Sequence, residues 1–113
     1  MTDKNQWVEL CQLEDIQRRG SRTFPHDGMT IAVFRTQQDE VFAIEDKCPH
    51  LGGALSEGII HETQVTCPLH NLIIDLKTGQ AVAPDTGCVL QFPVELKEGT
   101  VLIDLEAKAQ KVA

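Results

Sequence analysis

Cys48 and His50, followed by Cys67 and His70, are the residues of this chain best suited to hold a metal. The first pair is spaced Cys-x-His, the second Cys-x-x-His, and sixteen residues lie between them. Together they offer two thiolates and two imidazoles, a complete four-ligand set. A single zinc ion could take all four in one tetrahedral shell. Zinc fingers, however, pair Cys with Cys and His with His in their short steps, whereas each loop here carries one of each. A mixed pair per loop suits a two-metal centre clamped from both sides, each loop giving sulfur to one metal and nitrogen to the other. Pro49 and Pro68 fix φ inside the two loops and remove a backbone donor, which stiffens them. Gly52, Gly53 and Gly58 permit close backbone approach or positive φ, as a loop curling over an inorganic core needs.

With both prolines and the glycine pair in place, Cys48-Pro49-His50-Leu51-Gly52-Gly53 and Cys67-Pro68-Leu69-His70 resemble the ligand loops of Rieske-type proteins. In those proteins two histidines replace two cysteines on one iron of a [2Fe-2S] cluster. The resemblance implies Cys48 and Cys67 on one iron and His50 and His70 on the other. It also implies that the two imidazoles lie near the surface and mark a docking face, with Leu51, Gly52, Gly53, Leu69, Asn71 and Leu72 as an apolar rim. Two ferric ions, two sulfides and two thiolates sum to a formal charge of about zero, against about minus two with four thiolates, so an added electron is better tolerated. Such centres span roughly −150 to +300 mV, against about −400 mV for plant-type ferredoxins. Respiratory members at the high end carry a disulfide between the loops and hydroxyl donors to sulfur. Here Gly53 and Leu69 stand at the matching positions and the chain has no tyrosine, so the lower part of the range is expected.

Outside the ligands, the chain departs from the aromatic-rich second loop and Phe-Asp pair usual in the ferredoxins of aromatic-ring dioxygenase systems. Asn71 after the ligand histidine, Ile74-Asp75, Asp85-Thr86-Gly87-Cys88-Val89 and Phe92-Pro93-Val94 are similar to the small-subunit family of assimilatory NAD(P)H-dependent nitrite reductases. That likeness, running from Trp7 to Leu105, implies an electron-transfer subunit that is not catalytic alone. Its partner would be a large subunit carrying FAD, sirohaem and the NAD(P)H site, reducing nitrite to ammonium in nitrate assimilation. A Rieske-type ferredoxin supplying an aromatic-ring dioxygenase is the alternative.

The elements that must position these loops read as short strands. Trp7-Val8-Glu9-Leu10 predicts a strand and Glu14-Asp15-Ile16 a turn, while the stretch from Gly20 to Gly28 is rich in polar and turn residues. Met29 to Arg35 and Val41 to Ile44 predict a hairpin through Gln37-Gln38-Asp39-Glu40 that delivers the chain into the first ligand loop. Ile59-Ile60-His61 and Gln64-Val65-Thr66 predict two more strands turning at Glu62-Thr63. Ile73 to Leu76 predicts another, ended by Lys77-Thr78-Gly79-Gln80, with Asp75 capping that turn. A loop over Ala83 to Gly87 leads to a closing hairpin of Phe92 to Leu96 and Val101 to Leu105 around Glu98-Gly99, and Glu106 to Ala113 forms a helical turn or frays. Short strands with Gly/Pro turns make an all-β domain. The resemblance sharpens this to a Rieske-type antiparallel β-sandwich or barrel, one domain over residues 1–113 with a small cluster-binding subdomain at about 46–80.

At 113 residues the chain has room for one modest core. Its net charge of −7 argues against nucleic acid and against a basic membrane patch, and suits docking on a positively charged partner. Met1 to Gln6 is polar, no apolar run reaches membrane-spanning length, and the expected location is the cytoplasm. In that reducing compartment Cys11 and Cys88 are expected as buried thiols rather than a disulfide. His26 and His61 are expected to play no part in the centre, and Trp7 to anchor the first strand. No nucleophile elbow, phosphate loop or dinucleotide fingerprint is present, which leaves flavin and nicotinamide binding to the partner.

Overall fold

The computed structural model describes residues 7–26, 28–49, 53–68, 72–83 and 87–104. Its strands are β1 (Trp7–Gln12), β2 (Gly20–His26), β3 (Met29–Arg35), β4 (Val41–Glu45), β5 (Ile59–His61), β6 (Gln64–Thr66), β7 (Ile73–Asp75), β8 (Gln80–Ala81), β9 (Gln91–Phe92), β10 (Val94–Lys97) and β11 (Thr100–Asp104). Single 3₁₀ turns occupy Leu13–Asp15 and Leu55–Glu57. All pairings are antiparallel, as expected of this all-β chain, and they form three sheets ordered β2-β3-β4-β9, β1-β11-β10 and β5-β6-β7-β8. Among the described residues no helix is long and apolar enough to cross a membrane.

The sheet β2-β3-β4-β9 is packed on both faces. Successive strand residues point to opposite sides. Ala32, Phe34 and Ile44 enter one core with Ile60, Val65, Ile74 and Val89. Ile31, Val33 and Ala43 enter a second with Ile16, Phe92, Val101 and Ile103. This two-sided burial explains why Ile31-Ala32-Val33-Phe34 is a continuous apolar run rather than an alternating one. The hairpin β3–β4 is closed by a buried Thr36, whose N–H donates to Glu40 O at 2.8 Å, whose carbonyl accepts from Asp39 N–H at 3.0 Å and whose hydroxyl accepts the Glu40 N–H at 3.0 Å. Asp39 sits in that turn at φ 67° with its carboxylate gripped by Arg18 and Arg35 at 2.9 and 2.8 Å.

Three expectations need correction. The stretch 20–28, rich in polar and turn residues and given no strand by its sequence, contributes Gly20–His26 as β2 on the sheet edge, where Pro25 leaves no interior ladder bond unmade. The segment 92–96 is not one strand either. Gln91–Phe92 pair with β4, whereas Val94–Lys97 pair with β11 in another sheet, and the chain crosses over at Pro93. Pro93 has no N–H to give, while its carbonyl accepts from the Asp104 N–H at 3.1 Å. Finally, the strand 73–76 stops at Asp75, and the turn beyond it leads straight into β8. Residues 105–113, including the expected helical turn, lie outside the described residues, as do Pro84, Asp85 and Thr86 of the loop before β9.

Candidate metal centre

The first ligand loop leaves the end of β4. Its root is fastened to the central sheet by Glu45 N–H to Leu90 O at 2.9 Å and Asp46 N–H to Thr30 O at 2.8 Å. The Cys48 N–H then donates to the Gly53 carbonyl at 2.8 Å, closing a six-residue loop. The second loop connects β6 to β7, and the Cys67 N–H donates to the Leu72 carbonyl at 2.6 Å. In both, the cysteine amide reaches the carbonyl five residues on. The two loops are therefore closed by the same kind of bond although they hang from different sheets.

Cys48 and Cys67 are each only 1 % exposed and belong to the same apolar core, together with Leu55, Leu72, Phe34 and Val89. No disulfide joins them. Two soft donors brought into one dry core by similar closed loops fit a thiolate-ligated metal group, the kind of site that favours zinc or iron–sulfur chemistry. His50 and His70 fall within the two loops in sequence and lie outside the described residues. Among the described residues no group of three His, Cys, Asp or Glu side chains gathers.

Side chains away from the ligands hold the loops in place. Both oxygens of the half-buried Asp46 accept from Ser56, one from its N–H and one from its hydroxyl, each at 2.7 Å. Ser56 O in turn accepts from the Ser21 hydroxyl at 2.9 Å, so the return limb of the first loop is anchored to β2. Gln91 Nε2 donates to Lys77 O at 2.7 Å, tying β9 to the turn that follows β7. Asp75 caps that turn as expected, accepting from Lys77 N–H at 2.9 Å on its side chain and from Gly79 N–H at 2.7 Å on its backbone. Sequence reasoning missed Asp46, Ser56 and Gln91. Their partners are ten or more residues away, and no local pattern advertises such bonds.

Other expectations divide. Leu72, expected on an exposed rim, is buried in the core because its carbonyl closes the second loop and its side chain turns inward. Gly53 is half-buried, and Leu51, Gly52, Leu69 and Asn71 lie outside the described residues. Cys11 and Cys88 are half-buried rather than buried, and no disulfide joins them. Burial and then the nearby Asp15 carboxylate push the Cys11 thiol above its ordinary pKa, which keeps it protonated. Trp7 is half-buried at the start of β1. His61 brings Nε2 within 3.3 Å of the Thr66 hydroxyl, and both His61 and His26 are half-buried.

The sequence profile of the Rieske-like [2Fe-2S] domain matches residues 6–104. The 3-phenylpropionate/cinnamic acid dioxygenase ferredoxin subunit of Escherichia coli is 40 % identical over 100 residues, covering 87 % of this chain and 92 % of that protein. Among solved structures, a chain from the complex of reduced oxygenase and oxidized ferredoxin in carbazole 1,9a-dioxygenase superposes with a TM-score of 0.77 at 32 % identity, over 88 % of this chain and 93 % of that one. A protein described as the small subunit of an NADPH nitrite reductase superposes equally well, with a TM-score of 0.77 at 26 % identity, over 86 % and 96 % of the two chains. Closed cysteine loops in a shared core, an all-antiparallel scaffold and a profile spanning every described residue lead to one conclusion: the chain belongs to the family of Rieske-like [2Fe-2S] domains.

Proposed function

We propose that Cys48 and Cys67 ligate one iron and His50 and His70 the other, in a single domain whose cluster-binding part spans about residues 46–80. We further propose that the chain serves as the electron-transfer small subunit of an NAD(P)H-dependent nitrite reductase. A [2Fe-2S] centre supplies one-electron uptake and release. This chain's own residues do the rest. Phe34, Leu55, Leu72 and Val89 keep water from the cysteine side of the site, Asp46 and Ser56 hold the root of the first loop, and Gln91 ties β9 to the turn after β7. Bond making on a substrate belongs to the large subunit, which would carry FAD, sirohaem and the NAD(P)H site.

What supports the nitrite reductase reading is the likeness of Asn71, Ile74-Asp75, Asp85-Thr86-Gly87-Cys88-Val89 and Phe92-Pro93-Val94 to the small-subunit family, together with the superposition on the protein described as the small subunit of an NADPH nitrite reductase. Residues 87–89 of that stretch pack against the sheet β5-β6-β7-β8. Ala81 N–H donates to Gly87 O at 2.9 Å, Val89 N–H to Gly79 O at 2.8 Å, and Val89 is buried beside Cys48 and Cys67. A second reading, a ferredoxin serving an aromatic-ring dioxygenase, is favoured by the 40 % identity to the dioxygenase ferredoxin subunit. Deleting the gene in its host separates the two. The nitrite reductase reading expects loss of growth on nitrate or nitrite as sole nitrogen source, normal growth on ammonium, and no rescue by Cys48→Ser. Intact growth on nitrate together with lost oxidation of an aromatic carbon source would establish the dioxygenase reading instead.

A further inference from the structure

Gly58 ends the 3₁₀ turn that returns from the first ligand loop, and it leads into β5. Its φ of −81° is ordinary, so no backbone conformation requires glycine there. Space does. A Cβ on Gly58 would overlap the Thr66 carbonyl oxygen, and would stand 3.0 Å from the Thr66 carbonyl carbon and 3.1 Å from Val65 Cγ2. That carbonyl belongs to the peptide joining Thr66 to Cys67. Ile59 pairs with Thr66 in the β5–β6 ladder, so Gly58 lies one step beyond that pair, on the side of Cys67.

On its other side, Gly58 is tied to the first loop. Its N–H donates to Leu55 O at 2.9 Å, and Leu55 is fully buried in the core that holds both cysteines. Ser56, two residues earlier, is the residue held by the Asp46 carboxylate. The chain therefore runs from the root of one ligand loop, through Asp46, Ser56 and Gly58, to the peptide that delivers the other loop's cysteine. Only a residue without a side chain lets the two meet so closely.

We propose that Gly58 is a positioning residue that sets the distance between the two cysteine loops and hence their fit to the cluster. The inference rests on the cluster reading above. A methyl group at position 58 cannot be absorbed by a flexible side chain, because what it meets is backbone. It must push the Thr66–Cys67 peptide away or tilt the Leu55–Glu57 turn, and either movement displaces Cys67 relative to Cys48.

The test compares the wild-type chain, Gly58→Ala and Gly99→Ala, reconstituted identically with iron and sulfide. Gly99→Ala is the control for general destabilisation, since Gly99 has φ +83° but a Cβ there would meet nothing within 4 Å. Readouts are iron and sulfide per chain, the electron paramagnetic resonance spectrum after reduction, the midpoint potential and far-ultraviolet circular dichroism. Gly58→Ala should hold the cluster roughly tenfold or more weakly, with altered g-values or potential in the fraction that loads, while its β signature persists. Gly99→Ala should unfold more easily yet keep wild-type g-values and potential. Wild-type loading, g-values and potential in Gly58→Ala would overturn the proposal. Loss of the β signature together with the iron would also overturn it, since the residue would then serve the fold rather than the centre. Failure of the wild-type chain itself to bind iron would defeat the cluster reading instead.

Discussion

Asp46 offers the sharpest energetic test of how the first ligand loop is held. Its carboxylate receives two hydrogen bonds at 2.7 Å, from the N–H and the hydroxyl of Ser56. A hydrogen bond to a charged group contributes about 1.5–3 kcal/mol when water is excluded, and both residues here are half-buried, so the lower end applies. Asp46→Ala should therefore cost about 3 kcal/mol, and Ser56→Ala, which loses only the hydroxyl bond, about 1.5 kcal/mol. Because the hydroxyl bond is counted in both single variants, the double variant should cost hardly more than Asp46→Ala alone, a coupling of about 1.5 kcal/mol. Urea unfolding of the holoprotein, followed by far-ultraviolet and visible circular dichroism, measures the cycle. The same variants should lose iron to a chelator faster in the order of their destabilisation, since the broken staple is the root of the Cys48 loop. Additive single effects, with coupling below about 0.3 kcal/mol, would refute the reasoning, as would unchanged iron release in Asp46→Ala.

Three further outcomes follow from the same structure. Phe34→Ala empties the centre of the core shared with Cys48 and Cys67, so its urea midpoint should fall by the equivalent of about 3–5 kcal/mol. The Arg18 guanidinium and then Arg35 hold the Asp39 carboxyl below its usual value of 3.8. That ion pair stabilises the fold above the ordinary carboxylate pKa and is lost as pH falls through the lower folded value. Asp39→Asn should therefore weaken the protein at neutral pH and low salt, and the difference from wild type should vanish in acid and shrink at high ionic strength. His70→Cys should lower the midpoint potential by adding a thiolate charge; an intact variant with unchanged potential would remove His70 from the ligand set.

What the sequence made legible of the site is the motif and the family, to which the structure adds the burial of Cys48 and Cys67 in one core. The proposed ligands Cys48, His50, Cys67 and His70 stand out by residue type and short spacing, which are local properties of the chain. The hairpins β3–β4, β5–β6 and β10–β11 were legible for a similar reason, since each is two β-rich runs around a short polar turn. β2 was not, because an edge strand half in water needs no apolar alternation, and Gly20, Ser21 and Pro25 read locally as turn residues. Pro93 likewise gave no sign of marking a passage between sheets.

The family, and the thiol and imidazole motif proposed to bind the cluster, rest on residues a few positions apart, and the order of amino acids alone determined them. What tertiary structure decided is which distant pieces lie against one another. It buried β3 on both faces, placed Cys48 and Cys67 in one core from two different sheets, turned Leu72 inward, and pressed Gly58 against the Thr66–Cys67 peptide. Contacts of that kind come from the packing of whole sheets. Their energy depends on surfaces assembled from residues far apart in the chain, and no local spacing encodes it.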